Sequence, residues 1–440
     1  MASYLHGVHV PHRKKTRHKP VLRMETPKTI TIPMAMHIGA PSTPIVKVGD
    51  EVKVGQKIAE AGGFVSVPLF SGVSGKVTKM KEYLNHDGKK VPAIVIESDG
   101  LQTVAETVTP PFVSNRDELM TALKESGMVG LGGAGFPTHV KFAVDPDRIN
   151  YLIINGAECE PYVTSDTITM MYRADDIGYA LRVICSILGI KKVIIGIENN
   201  KKRAAVAMRN MAASITEAQV SVKMLPSVYP QGGEKVLIYH TVGRVVPEGK
   251  LPIDAGCIVI NCTTLASIGA YLKTGMPLVE KCVTVDGGAV ANPQNVLAPV
   301  GTAIADLFEA CGGLTCDPAK IIYGGPMMGV TVPDATEPVM TNTNAVMALT
   351  AKEAWLPKTT ACIRCGACTN VCPFGLAAAR ILLAYEKKDL DELRRLSVDT
   401  CMLCGCCSFT CPANRPLVQS NSLAKQLLKE ERAKEASKNG

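Results

Sequence analysis

The chain has 440 residues, 46% of them hydrophobic and 20% charged, with a formal net charge of +8. This length has room for several domains, and the composition excludes a disordered chain. No stretch reads as a membrane span: 255–272 is uncharged but carries Asn261, Thr263, Thr264, Ser267 and two glycines, which suit a packed turn and strand. The N-terminus has no apolar signal core, so the expectation is a protein made and kept in the cytoplasm.

In chain order, residues 1–39 read as a basic arm. Arg13, Lys14, Lys15, Arg17 and Lys19 crowd its middle. No aromatic-interleaved basic face accompanies them, so a solvated arm or a docking arm for a membrane partner is expected, and no nucleic acid. Residues 40–109 are β-rich, with alternating apolar positions around Val46, Val48, Val52 and Val54 and again around Val73 and Val77. The two halves resemble a biotinyl/lipoyl-like barrel-sandwich domain. Its turn, Ala61-Gly62-Gly63-Phe64, holds no lysine to modify, so a structural or docking role is expected.

Residues 110–276 alternate expected strands (151–154, 193–197, 220–225) with helices (near 177–188, 201–214 and after 233), which predicts an α/β sandwich on a largely parallel sheet. Residues 277–330 run strand, helix, strand and resemble the β-grasp domain called SLBB. A linker over 331–358 leads to 359–440, a mainly α domain ending in an exposed, charged helix over 422–434.

That last domain holds Cys362-x2-Cys365-x2-Cys368-x3-Cys372-Pro373 and Cys401-x2-Cys404-x2-Cys407-x3-Cys411-Pro412. This is the spacing of bacterial two-cluster ferredoxins, in which the fourth cysteine of each run ligates the other cluster. One [4Fe–4S] cluster is thus assigned to Cys362, Cys365, Cys368 and Cys411. The other is assigned to Cys401, Cys404, Cys407 and Cys372. A pair of zinc sites would need no crossed Cys-Pro signature. Cys185, Cys257, Cys262 and Cys282 lie among apolar residues and read as reduced core fillers, while Cys406 has no evident role.

The segment 130–141 carries Gly130, Gly132, Gly133, Ala134, Gly135, Phe136 and Lys141. A helix precedes this loop where a dinucleotide fingerprint requires a strand, so an ordinary Rossmann site is rejected. Four glycines still let backbone approach a flat or phosphorylated ligand, with Lys141 as a nearby cation. Asn155, Glu158 and Glu160 follow a strand end, where α/β folds gather ligand residues.

These two segments resemble the FMN- and NADH-binding motifs of the complex I flavoprotein subunit. That family has Arg at the position of Leu131 and Asp at that of Ala157. The resemblance implies that Tyr229, Glu234 and Asn261 join the pocket and that Glu160 lies near the nicotinamide carboxamide as the catalytic residue. The order of the parts resembles the RnfC family, one of the subunits of Rnf ion-translocating electron-transport complexes. It implies an NADH-dependent oxidoreductase subunit holding non-covalent FMN and two [4Fe–4S] clusters, peripheral on the cytoplasmic side of the cell membrane. Its implied partners are an iron–sulfur subunit accepting electrons from ferredoxin and flavin-bearing membrane subunits. The alternatives are a soluble NADH-dependent reductase of a cofactor such as cobalamin, or an electron-relay scaffold without nucleotide binding.

Overall fold

The computed structural model describes residues 5–84 and 88–438. Its central sheet has the strand order Gln219–Leu225, Lys192–Glu198, Tyr151–Gly156, Cys257–Asn261, and every pairing is parallel. Apart from the edge strand Gln219–Leu225, whose residues 219–224 alternate exposed and half-buried, these strands are buried on both faces, which explains their runs of Val and Ile. Helices Ala174–Leu188, Lys202–Ala213 and Cys262–Thr274 cover one face through Leu181, Met208 and Leu265. Helix Glu234–Val242 covers the other through Leu237 and Ile238.

Two elements here differ from the sequence expectation. Residues 255–272 form a strand and then a helix, because the Asn261 side chain accepts from the N–H groups of Thr263 (2.8 Å) and Thr264 (3.2 Å) and caps it. Helix Ser165–Tyr172 was not anticipated; its residues 165–170 are buried.

The next sheet has the order Leu22–Arg23, Gln294–Pro299, Glu280–Asp286, Ala345–Leu349, Lys320–Tyr323, Val330–Val332, with helix Ile304–Ala310 packed on it. The expected linker 331–358 therefore supplies an internal strand, and every residue of Ala345–Leu349 is buried. Such an unbroken apolar run is the mark of a strand covered on both faces.

The barrel-sandwich domain pairs Thr29–Pro33, Lys90–Ser98, Gly75–Leu84 and Glu51–Val52 in one sheet and Thr43–Pro44, Lys57–Glu60 and Leu69–Phe70 in another. It begins before residue 40, since Ile30 and Ile32 lie in its core. Its turn faces the glycine-loop domain: the His139 ring donates to the Phe64 carbonyl at 2.9 Å and meets the Phe64 ring edge-on.

Residues 5–28, ahead of the first barrel strand, run as a strap seated on the other domains of the chain, where a solvated arm or an arm docking a membrane partner was expected. Val8 exchanges both backbone hydrogen bonds with Tyr229 (2.8 and 3.0 Å). The Lys14 side chain is 3% exposed; it donates to the carbonyls of Glu158 (2.9 Å), Glu160 (2.9 Å) and Val163 (2.5 Å) and pairs with the Glu158 carboxylate at 3.8 Å. A buried ammonium persists only with such partners.

The C-terminal domain packs Ala378–Glu386 and Leu390–Arg395 against Leu417–Lys438. This last helix starts earlier than expected and buries Ala424 and Leu428. Among the described residues, no helix is long and apolar enough to cross a membrane.

Candidate functional site

The glycine loop enters the helix Thr138–Phe142 and lies over the carboxyl ends of Tyr151–Gly156 and Cys257–Asn261. Its shape is held from several domains. Gly130 N–H donates to the Phe136 carbonyl (2.9 Å), Leu131 N–H to Thr264 Oγ1 (2.9 Å), and Asn342 Nδ2 to the Gly133 carbonyl (3.0 Å). Beneath it, Lys281 Nζ donates to the Leu131 carbonyl at 2.8 Å, and burial pushes that ammonium down to about 7.

The two exposed glycines differ in what a side chain would meet. A Cβ on Gly132 would sit 2.5 Å from Asn261 Nδ2, whereas one on Gly133 would meet nothing within 4 Å. Gly132 thus closes the loop onto the helix cap, and Gly133 leaves exposed backbone that a ligand can approach. Ala134 beside it is exposed, and Phe136 is half-buried.

Several expected residues converge on this place. Lys141 Nζ donates to Glu234 Oε1 (3.2 Å) and to the Val259 carbonyl (2.9 Å). Asn261 Nδ2 donates to Asp166 Oδ2 at 2.7 Å, and Thr263 Oγ1 donates to Asp166 Oδ1 at 2.6 Å. Asn155 Nδ2 donates to the Gly232 carbonyl (2.9 Å), tying the strand end to the turn that bears Glu234. The exposed Gly133 backbone is open to a flat phosphorylated ligand such as FMN, with Asn261 beside the neighbouring Gly132.

Three expected residues do other work. The Glu158 carboxylate accepts from Asp166 N–H (2.6 Å) and Thr167 Oγ1 (2.5 Å) at the start of Ser165–Tyr172, so it caps that helix from a buried position. Glu160, expected beside the nicotinamide, accepts instead from the N–H groups of Met327 (3.1 Å) and Met328 (2.8 Å) in the SLBB-like domain. Burial pushes its carboxyl up to about 7, against those two N–H groups. Tyr229 is buried, and its hydroxyl donates to the Cys404 carbonyl at 2.7 Å.

The cysteine motifs repeat one backbone shape. Arg364 and Leu403 have φ of 57° and 59°, and the following Gly366 and Gly405 have 75° and 80°. These left-handed residues bend each Cys-x2-Cys run into an arch followed by a short helix, Ala367–Asn370 or Cys406–Phe409. Cys372, Cys401, Cys404 and Cys407 line one small apolar pocket together with Cys406, Leu376, Ala378 and Val418. The pocket joins Cys372 of the first run to cysteines of the second. Cys368 and Cys411, both partly buried, pack against the apolar group of Ala378, Leu382, Cys407 and Leu417, and Cys362 and Cys365 are exposed.

The sequence reading missed Lys14, Asp166, Thr264, Lys281 and Asn342. Only Asp166 had a local signal, as an acidic residue in a helix's first turn. The others reach the site from distant segments.

Family models match in the same order as the domains: an RnfC barrel sandwich hybrid domain over residues 2–101, a Nuo51 FMN-binding domain over 123–270, an SLBB domain over 282–331 and a 4Fe-4S dicluster domain over 358–415. The RnfC-type subunit of the Na+-translocating ferredoxin:NAD+ oxidoreductase complex of Acetobacterium woodii is 41% identical over 433 residues, 97% of each chain. The chain belongs to the RnfC family of ion-translocating ferredoxin:NAD+ oxidoreductase complexes. The counterpart in the proton-translocating complex of Clostridium ljungdahlii is 39% identical, over 88% of this chain and 85% of its own. The counterpart in the ion-translocating oxidoreductase complex of Rhodobacter capsulatus is 36% identical, over 97% and 83%. The cofactors of the two matched domains are accordingly FMN and two [4Fe–4S] clusters.

Proposed function

We propose that this chain is the NAD(H)-reacting, electron-distributing subunit of such a complex, peripheral on the cytoplasmic side of the membrane. Its partners are an iron–sulfur subunit fed by ferredoxin and flavin-bearing membrane subunits. The observation that carries the reading is the contact between the two sites. The turn 229–234 holds Asn155 through Gly232 at one end and the Cys404 loop through Tyr229 at the other.

FMN, when bound, would supply the chemistry that couples two-electron hydride exchange with NAD(H) to the one-electron steps of [4Fe–4S] clusters. The chain's residues position these groups. Gly130, Gly132, Gly133 and Gly135 give the flavin a backbone floor. Lys141 supplies a cation for its phosphate, with Glu234 keeping that ammonium in place. Asn155 and Asn261 offer amides at the strand ends. Cys372, Cys401, Cys404 and Cys407 hold the inner cluster against Tyr229. Cys362, Cys365, Cys368 and Cys411 hold the outer one, whose exposed thiolates beside Ile363 face a partner. Glu160 acts as a positioning residue between domains.

The test is anaerobic reconstitution of the full chain, followed by NADH addition. Flavin and clusters should both bleach, and membrane subunits should co-purify from the native source. A protein that holds clusters but no flavin overturns the reading in favour of a relay scaffold, and one with full activity and no membrane partners overturns it in favour of a soluble reductase.

A further inference from the structure

A second cavity, of about 190 Å³, lies between the N-terminal strap and the start of helix Lys202–Ala213, at the carboxyl end of strand Lys192–Glu198. None of residues 130–141 lines it. Its walls carry Lys14, Arg17, His18, Lys201, Lys202 and Arg203. Lys14 and Lys201 are buried and paired with Glu158 (3.8 Å) and Glu198 (2.5 Å). The cations of Arg17, Lys202 and Arg203 have no carboxylate on these walls, and Lys202 and Arg203 make no hydrogen bond or ion pair among the described residues. The helix beginning here has no side-chain cap and no acidic residue in its first turn. Cations at a helix N-terminus oppose its dipole, an opposition that water weakens at the exposed Lys202 and Arg203 and that a bound anion relieves. The volume is below the roughly 300–1,000 Å³ of sites for drug-sized ligands, which suits one or two phosphate groups.

We infer that this cavity binds a small phosphate-bearing anion, at a site separate from that of the flavin. The phosphate can come from a free diphosphate or from a lipid headgroup, and the experiment distinguishes them. FMN-loaded full-length protein is titrated calorimetrically with inorganic pyrophosphate at low ionic strength and, separately, sedimented with vesicles containing phosphatidylglycerol. Wild type is compared with Lys202→Gln/Arg203→Gln and with a control of equal charge change, Lys387→Gln/Lys388→Gln. The expected result is saturable pyrophosphate binding that weakens about tenfold or more in the cavity variant, as befits lost charge-assisted hydrogen bonds, and is unchanged in the control. NADH-dependent dye reduction stays at the wild-type rate in both, which separates this site from the dinucleotide's. Vesicle binding lost in the cavity variant alone supports the site and makes a lipid its source. No saturable binding of either probe, or equal binding by all three proteins, overturns the inference.

Discussion

Tyr229 is fastened at both ends. Its hydroxyl donates to the Cys404 carbonyl at 2.7 Å, while its backbone pairs with Val8 of the N-terminal strap. One residue thus ties the strap, the turn 229–234 and the inner cysteine loop together. Tyr229→Phe leaves the buried Cys404 carbonyl without that donor, at a cost of about 1–3 kcal/mol. The expected outcome is a lower denaturation midpoint and slower cluster reduction by NADH, with flavin reduction unchanged. Anaerobic stopped-flow absorbance separates the two phases.

Gly132 and Gly133 should respond differently to the same substitution. Gly133→Ala meets open space in the protein itself, so its stability should match wild type, and any loss of FMN after gel filtration reports the ligand. Gly132→Ala presses on Asn261, which caps Cys262–Thr274. It should lower stability by about 0.5–2 kcal/mol, the range for a lost cap.

Lys14→Met leaves the buried Glu158 carboxylate without its cation. Breaking a buried pair costs about 3–5 kcal/mol, and denaturant titration should show a loss of that order. Its exposed neighbour Lys15, changed to Gln, should alter stability by no more than about 0.5 kcal/mol. Equal effects at both positions would contradict the strap's buried seating.

Cys372→Ala should remove the cluster built on Cys401, Cys404 and Cys407, and Cys411→Ala the one built on Cys362, Cys365 and Cys368. Iron content should fall by about half in each, since each set is expected to hold one four-iron cluster. The electron paramagnetic resonance signal that survives identifies the remaining cluster. Loss of the sequence-adjacent cluster in either variant would refute the crossed assignment.

Glu160 should leave a signature in the pH dependence of stability. Its folded-state value of about 7 lies above the ordinary 4.5. Between these values the folded chain holds a proton that the unfolded chain releases, so stability falls as pH rises through that window and levels off above it. Glu160→Gln cannot titrate and should lack this component. Denaturation midpoints at pH 5 and pH 8 should therefore differ less in the variant than in wild type.

Features that depend on local spacing were legible in the sequence. The two-cluster domain could be read because an arch of Cys-x2-Cys-x2-Cys is a local geometry that repeats in the chain. The parallel sheet showed in buried strands alternating with amphipathic helices. The glycine loop showed because glycines mark close backbone approach wherever they fall.

The long-range partners were settled by the folded molecule alone. Lys14 belonged to a charged run and read as part of a solvated or docking arm; its ammonium is buried against three carbonyls about 150 residues away. Glu158 and Glu160 sit two residues apart at a strand end and read as ligand groups, yet one caps a helix and the other holds an SLBB-like loop. Lys281 reaches the Leu131 carbonyl across 150 positions. A carboxylate or ammonium carries no local mark of its partner. Its role is set by which polar groups the fold brings within hydrogen-bond distance, because desolvation makes an unpaired buried charge too costly to keep.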